Sequence, residues 1–544
     1  MKTINDIYSK FEWRDPICVS HYPFPKEVLQ QNEIQKYIKI EQSSNLPSEK
    51  ALYIHIPFCD KICSFCPFNK TLKNKQEVSA YIVALKQELF YYANSDYGKS
   101  IILGSVYMGG GTPSCLTKEQ LIDIIEYVKK YFHISQSAQI SIEGSPFNFS
   151  FDKLQAIFEI GVNRVSFGIQ TFNPKMRENI QLSQTVQQNF DAILNAQKVG
   201  FKNICIDLLY NLPGQTMSEW EEDVKTAISL NIDHITIFSL CLVPGTILEH
   251  LVTKGIVPVP RSQNEEIDMF IKARKLLLDA GYEQYSIWDF AKTGKVDKHV
   301  QIYYQNQDDL IGTGAAAFGF INHFMYINKG EISEYIDANK NKQLPILVGK
   351  KSSKEDLMRG MIAKSLRLIT LDKIKFRELF GSNPEEIYPN EFSSLEDNSL
   401  IEISEDSIKI TPDGSVWGNN ICKVFFEENE TFEWRASLAK GKLPEISQEQ
   451  IDLNKKDILE FDKDVEKLLG RILERKPMFI REHSRKNIIT IASDIALARG
   501  KSIIQDEDII MATIKDTPAP FRPMAISGFR KWGFDIDKIT KSSS

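Results

Sequence analysis

The chain has 544 residues and a formal net charge of -6, too long for one ordinary domain and too acidic overall to predict a nucleic-acid partner. No run of 18 or more apolar residues occurs, and the opening MKTINDIYSKFEWRD has neither an apolar core nor a cleavage-like site, so no membrane span and a cytoplasmic protein are expected. Eight cysteines are too few for a disulfide scaffold, and three of them crowd into the eight positions from Cys59 to Cys66, which points to metal in a reducing compartment.

Along the chain, β-branched runs predict strands at Ala51 to Pro57, Ser105 to Met108, Gln139 to Glu143, Arg164 to Ile169, Asn203 to Leu209 and His234 to Ser239. Helical periodicity falls between most of them, at Glu77 to Tyr92, Lys118 to Tyr131, Val186 to Val199 and Ser218 to Leu230. Six strands alternating with helices predict an α/β fold, a partial (β/α)6 barrel with a parallel sheet. From about Val252 to Phe320 a helix and a mixed segment follow, and from about Ser353 to Phe426 short helices with a strand pair. The expected divisions are a covering segment over 1–50, the barrel over 51–325, an α+β extension over 326–437, a polar linker over 438–457, a small helical domain over 458–535 and a tail over 536–544. In the helical domain, Asp506-Glu507-Asp508 carries the charge that a helix N-terminus prefers.

Ligands of parallel sheets gather at the carboxyl ends of the strands. Here those ends carry, in order, Cys59, Gly109-Gly110-Gly111, Glu143, Gln170 and Asp207. Cys59-Asp-Lys-Ile-Cys63-Ser-Phe-Cys66 offers three thiolates from one loop, and three ligands on a 4Fe-4S cube leave one iron open for a substrate. Zinc would require a fourth ligand nearby, and none follows. His55 precedes the loop on a strand, where a supporting role is expected. The glycines allow the backbone to approach a ligand closely, and no GK[ST] follows them to make a phosphate-binding loop. Glu143 and Asp207 suit a ribose hydroxyl or an ammonium group.

CxxxCxxC after a first strand resembles the signature of radical S-adenosylmethionine (SAM) enzymes. That resemblance implies SAM chelated at the open iron by its amino and carboxylate groups, and one-electron cleavage to a 5'-deoxyadenosyl radical. Within the superfamily, Tyr53-Ile-His-Ile-Pro-Phe-Cys59, Gly109-Gly-Gly-Thr-Pro113, Gly161-Val-Asn-Arg-Val-Ser-Phe-Gly-Ile-Gln170, Asp207-Leu-Leu-Tyr-Asn-Leu-Pro-Gly214, Ile311-Gly-Thr-Gly-Ala315, Ile410-Thr-Pro-Asp-Gly414 and Asn420-Ile-Cys422 look like the oxygen-independent coproporphyrinogen III oxidase group. The group includes the oxidase, a heme chaperone, a heme-opening methyltransferase and C-methylating or cyclopropane-forming relatives.

By position, the resemblance implies that Tyr53, Gly111 and Glu143 contact a first SAM. Phe65, Thr112, Gln170, Asp207 and Cys241 match the pocket of a second, so one or two SAM molecules are implied. A tetrapyrrole substrate and a low-potential electron donor such as flavodoxin or ferredoxin are implied as partners. Phe68 stands where the oxidase has a fourth cysteine, and Leu182 where it has an arginine, while Asn69-Lys70 agrees with the oxidase. Leucine cannot pair with a carboxylate as a guanidinium does. Decarboxylation of coproporphyrinogen III leads the expectations, followed by two-SAM methylation or ring opening, and by heme chaperoning.

Near the C-terminus, Phe479-Ile-Arg-Glu-His-Ser-Arg-Lys486, Ala492, Ala496-Leu-Ala-Arg-Gly500 and Ile503 to Ala512 resemble the small C-terminal domain of a light-independent protochlorophyllide reductase subunit. Arg471, Arg475, Lys476, Arg481, Arg485 and Lys486 form a basic set there. It is read as a solvated face or as a face that meets porphyrin propionates.

Overall fold

The computed structural model describes residues 48–243 and 245–426, stretches between 11 and 38, and stretches between 460 and 541. The chain divides into two compact units, Met1–Leu242 with Pro260–Glu430, and Val243–Val259 with Thr431–Ser544.

A sheet of twelve strands builds the first unit. Its strands are β1 (Glu49–Ile56), β2 (Ile102–Gly110), β3 (Ile134–Gly144), β4 (Arg164–Gln170), β5 (Ile204–Tyr210), β6 (His234–Ser239), β7 (Glu283–Gln284), β8 (Asp289–Ala291), β9 (Leu310–Thr313), β10 (Phe318–Ile321), β11 (Phe324–Asn328) and β12 (Ile346–Lys351). The spatial order is β12-β11-β10-β9-β1-β2-β3-β4-β5-β6-β8-β7. From β9 through β1 to β6 neighbouring strands run parallel, and both flanks are completed by antiparallel strands. The six predicted strands are β1 to β6, and the sheet stays open, which agrees with a partial barrel. The expected boundary at 325 falls inside β11, because the antiparallel β10 and β11 continue the same ladder past it.

Helices between the strands start where side chains cap them. These are α1 (Lys75–Asn94), α2 (Lys118–Tyr131), α3 (Phe151–Glu159), α4 (Val186–Val199) and α5 (Met217–Ser229). Asn74 accepts from the first turn of α1, and capping boxes pair Thr117 with Gln120, Thr185 with Gln188 and Thr216 with Glu219. Each satisfies backbone donors that the first turn would leave open. Gly200, at φ 112°, ends α4 in the left-handed region that glycine tolerates.

Alternation along the strands separates two faces. Leu52, Ile54, Ile56, Val106, Met108, Ile140, Ile142, Val165, Phe167, Ile204, Ile206, Leu208, Ile235 and Ile237 are buried in one continuous core with Leu85, Leu121, Ile124, Leu154, Ile193 and Trp220 from the helices. Each such side chain contributes about 1.5–3 kcal/mol by leaving water. The opposite face carries Tyr53, His55, Ser105, Tyr107, Gly109, Glu143, Arg164, Ser166, Asp207 and Thr236. Register places Tyr53 beside Tyr107 and Tyr107 beside Ser141, and Asp207 between Gly168 and Thr236. One face of the sheet thus serves stability and the other is free for chemistry.

Beyond β12, the expected strand pair, Ile401–Ile403 and Ser407–Ile410, is joined by a third strand, Thr370–Asp372. The second unit has helices at Lys463–Glu474, Asp506–Asp516, Arg522–Lys531 and Ile536–Lys541 around a core that includes Leu469, Ile472, Ile488, Ala492, Ile509 and Phe529. A short parallel pair, Glu460–Phe461 with Ile503–Ile504, adds strands where only helices were expected. Of its basic set, Arg471 lies 4.3 Å over the ring of Trp532 and Arg485 pairs with Glu466 at 2.6 Å. Arg475, Lys476, Arg481, Lys486, the 438–457 linker, Phe479, Ile480 and Gly500 lie outside the described residues. Among the described residues no helix is long and apolar enough to cross a membrane.

Candidate cofactor site

The cysteine loop leaves β1 after Ile56 and is stapled where it begins and ends. Phe58–Cys59 pairs in parallel with Thr71–Leu72, with Thr71 N donating to Pro57 O at 2.7 Å and Lys73 N to Cys59 O at 2.9 Å. Inside the loop Cys66 N donates to Cys63 O at 3.3 Å, Ser64 Oγ to Ile180 O at 2.6 Å, and Lys70 Nζ to Cys66 O at 2.7 Å and Phe68 O at 3.0 Å. Lys70 is therefore a brace for the loop carbonyls. Cys59 is buried, Cys63 and Cys66 are half-buried, and Phe68 is 61% exposed beside them.

The glycine loop packs directly on this one. Gly111 N donates to Ile56 O and Thr112 N to Phe58 O, both at 2.8 Å, and Thr112 Oγ1 donates to Cys59 Sγ at 3.2 Å. A Cβ on Gly111 would stand 2.8 Å from Pro57 C and 3.0 Å from the carbonyl oxygens of Ile56 and Phe58. Those are backbone atoms and cannot rotate away. Gly111→Ala is expected to part the two loops at a cost of about 1–3 kcal/mol, read by denaturant unfolding together with iron uptake. Wild-type stability and full iron uptake would contradict this packing.

Glu143, next to the end of β3, and Asp207, which lies in the middle of β5 and not at the strand end expected, face the same space. Glu143 Oε1 accepts from Tyr107 OH at 2.5 Å and its carboxylate also accepts from Gly110 N. A Cβ on Gly109 would lie 2.8 Å from Glu143 Oε2, so Gly109 makes room for the carboxylate. Burial raises the Glu143 carboxyl, and burial, then the charge of Glu143, pushes Asp207 up to about 7. Both acids keep part of their surface open although protein surrounds them, as expected of side chains that line a cavity. Tyr53 stacks 6.1 Å from Tyr107, and Gln170 sits at a bulge with φ 67° where β4 meets β5. Phe65, on the cysteine loop, and Cys241, two residues beyond β6, are both half-buried.

His55 supports the loop from β1. Burial holds it at about 4, so the ring is neutral, with Nε2 donating to Asn69 O and Nδ1 accepting from Tyr53 OH, both at 3.3 Å.

Below the acids lies a charged layer that the motifs did not single out. Arg164, 2% exposed, pairs with Asp297 at 3.3 Å and donates from Nη2 to His234 Nδ1 at 3.0 Å. Burial opposes a protonated His234, Cys205 and Asp289 favour it, and Arg164 opposes it. The donation from Arg164 makes Nδ1 an acceptor and leaves the proton on Nε2, which faces Tyr285 OH at 3.2 Å and Asp289 at 3.5 Å. Asp289 is held by Thr236 Oγ1 at 2.8 Å and Ser286 Oγ at 2.6 Å. The positive charge of Arg164 lowers both Glu143 and Asp207. A signal was present in the sequence: Ser105 and Tyr107 on β2, Arg164 and Ser166 on β4, and His234 and Thr236 on β6 alternate with apolar residues and mark a polar barrel interior.

The loop presents three thiols that a 4Fe-4S cube could take. Burial pushes the thiols of Cys59 and Cys63 up to about 11 and about 12, and burial also raises Cys66. Among the described residues no three His, Cys, Asp or Glu side chains are grouped around the position of one ion. An iron-sulfur cube takes each thiolate on a different iron and does not need the sulfurs to meet at a point.

The Radical SAM superfamily model matches residues 53–227. Heme chaperone HemW of Bacillus subtilis is 32% identical over 381 residues, covering 70% of this chain and 100% of its own length. The oxygen-independent coproporphyrinogen III oxidase of Salmonella typhimurium is 28% identical, covering 69% of this chain and 85% of its own. In structure, coproporphyrinogen III oxidase (HemN) from Escherichia coli, a radical SAM enzyme, matches with a TM-score of 0.65 and 24% identity over 75% of this chain and 96% of its own. The chain belongs to the radical SAM superfamily, whose members bind a 4Fe-4S cluster and SAM, and within it to the family of HemW and the oxygen-independent coproporphyrinogen III oxidases.

Proposed function

We propose that this chain is a heme-binding protein of the HemW kind that carries a 4Fe-4S cluster on Cys59, Cys63 and Cys66 and binds one SAM. The observation that carries the chaperone reading is the likeness to HemW over that protein's whole length. Phe68 and Leu182, in place of the cysteine and arginine of the oxidase pattern, support it. The nearby Arg177 cannot stand in for the missing arginine, because its guanidinium donates to the carbonyls of Gln184, Ile169 and Thr171 at 2.6–3.1 Å.

When bound, the cluster supplies one electron to SAM, received from a low-potential donor of the flavodoxin or ferredoxin type. The chain's own residues prepare the site. Thr112 orients the Cys59 sulfur, Gly109, Gly110 and Gly111 admit the ligand against backbone, and Glu143, aligned by Tyr107 and Gly110 N, accepts from the SAM amino group. Tyr53 closes the side of that pocket. Phe65, Gln170, Asp207 and Cys241 then bound the space beyond, where a tetrapyrrole enters.

A second reading, oxidative decarboxylation of coproporphyrinogen III, is favoured by Asn69-Lys70. Asn69 Nδ2 donates to Gly330 O at 3.0 Å and ties the loop to the segment after β11. Two-SAM methylation or heme opening has in its favour the match of Phe65, Thr112, Gln170, Asp207 and Cys241 to the pocket of a second SAM. The test is anaerobic reconstitution with iron, sulfide and SAM, then incubation with heme or coproporphyrinogen III. Stoichiometric heme retention without a modified tetrapyrrole is expected. Decarboxylated product with deoxyadenosine and methionine would replace the chaperone reading by the oxidase, and S-adenosylhomocysteine would replace it by methyl transfer.

A further inference from the structure

Glu88 on α1 is a buried acid outside the site described so far, 1% exposed. Its Oε2 accepts from Gly314 N at 2.8 Å and from Tyr335 OH at 2.5 Å, and its Oε1 accepts from Asn328 Nδ2 at 2.7 Å. Asn328 Nδ2 also donates to Gly314 O at 3.0 Å. Gly314 is thereby held at both its N–H and its carbonyl, in the Gly-Thr-Gly-Ala motif for which the cofactor site gave no use. The titratable groups facing Glu88 are the phenols of Tyr81 and Tyr92 on its own helix, Tyr326 on β11 and Tyr335. Desolvation and hydrogen bonds, without a cation, set its acidity. A buried acid without a cation is unfavourable, and the three hydrogen bonds that Glu88 accepts offset that cost and fix its geometry.

What Gly314 touches explains the geometry. Two turns before Glu88, Tyr81 OH accepts from Ala315 N at 2.8 Å and donates to His55 O at 2.7 Å, while its ring meets Phe58 edge-on at 5.3 Å. Gly314 has φ +96°, and a Cβ there would lie 2.5 Å from His55 O. The turn after β9 is therefore pressed against the last residues of β1, and Phe58 directly precedes Cys59.

We propose that Glu88 is a positioning residue for the cluster loop: through Gly314, Ala315 and Tyr81 it clamps the backbone from His55 to Phe58 and so fixes where the Cys59 sulfur stands. The inference rests on Cys59 being a cluster ligand. Glu88→Gln keeps the size but turns an amide N–H2 toward groups that only donate to it.

Two readouts test it. In the metal-free protein, amide hydrogen exchange in peptides covering 51–59 and 311–316 is expected to quicken about tenfold, the effect of losing one charge-assisted hydrogen bond, with α5 unchanged. In the reconstituted protein, iron content is expected to stay at the wild-type level while the EPR spectrum of the reduced cluster shifts. Tyr335→Phe and Tyr81→Phe, each removing one hydroxyl of the clamp, are expected to quicken exchange in the same two segments, and they carry the test should Glu88→Gln fail to fold. Wild-type exchange in those segments, or exchange that quickens equally in α5, would overturn the clamp. Failure of the wild-type protein to take up a cluster would overturn the cluster assignment, and the metal-free exchange would still decide the clamp.

Discussion

Replacing Cys59, Cys63 or Cys66 singly with alanine is expected to drop the iron bound after anaerobic reconstitution from about four atoms per chain to background, and SAM cleavage with it. The loop itself offers three thiolates, so each loss leaves a cube with two of them. No neighbour can substitute, because Lys70 is committed to the carbonyls of Cys66 and Phe68 and His55 to Asn69 and Tyr53. Folding should survive, since the loop is held by backbone hydrogen bonds at Thr71 and Lys73 that do not involve the sulfurs. Cys115 is the matched control. It is buried close by, with Sγ 3.4 Å from Phe58 O, and Cys115→Ala should retain full iron. Loss of iron in that control with retention in Cys63→Ala would refute the ligand set.

The largest effect on stability is expected at Arg164. Arg164→Met removes one partner of a buried ion pair and leaves Asp297, 4% exposed, with an uncompensated charge, which costs about 3–5 kcal/mol. It also deprives His234 Nδ1 of its donor. Because the guanidinium lowers both Glu143 and Asp207, the variant should hold those acids more fully protonated and bind SAM more weakly even where it folds. Denaturant unfolding reads the first effect and equilibrium SAM binding at neutral pH the second. A stability within about 0.5 kcal/mol of wild type, the range of ordinary surface changes, would show that the layer beneath the acids is not structural.

Much of the barrel could be read in advance, for identifiable reasons. Thr117 with Gln120, Thr185 with Gln188 and Thr216 with Glu219 are local signals, so the starts of α2, α4 and α5 fall within a residue of the expected positions. The end of β3 could be read because Glu143 breaks an apolar run, whereas Asp207 sits in the middle of β5, where Leu208, Leu209 and Tyr210 continue the strand. The flank from β9 to β12 was not anticipated as part of the same sheet. Its strands have only four to six residues, and what joins β9 to β1 is parallel pairing across more than 250 positions of sequence. The same holds for Arg164 with Asp297 and for Glu88 with Gly314. Each pair is a long-range meeting of residues that are separately unremarkable.

The resemblance to tetrapyrrole proteins also reached further than local pattern allows. Motifs identify a chain of a superfamily that binds a cluster and SAM, whereas the choice among heme carriage, decarboxylation and methylation depends on the residues that would surround a bound tetrapyrrole. Phe68 and Leu182 depart from the oxidase pattern without altering the fold, and so bear on function more than on structure.

The most direct test is the EPR spectrum of the reduced, reconstituted protein recorded with and without SAM. A 4Fe-4S signal that changes shape when SAM is added is expected, because SAM would occupy the iron that Cys59, Cys63 and Cys66 would leave open. A signal identical in both conditions, or one that persists in Cys63→Ala, would contradict it.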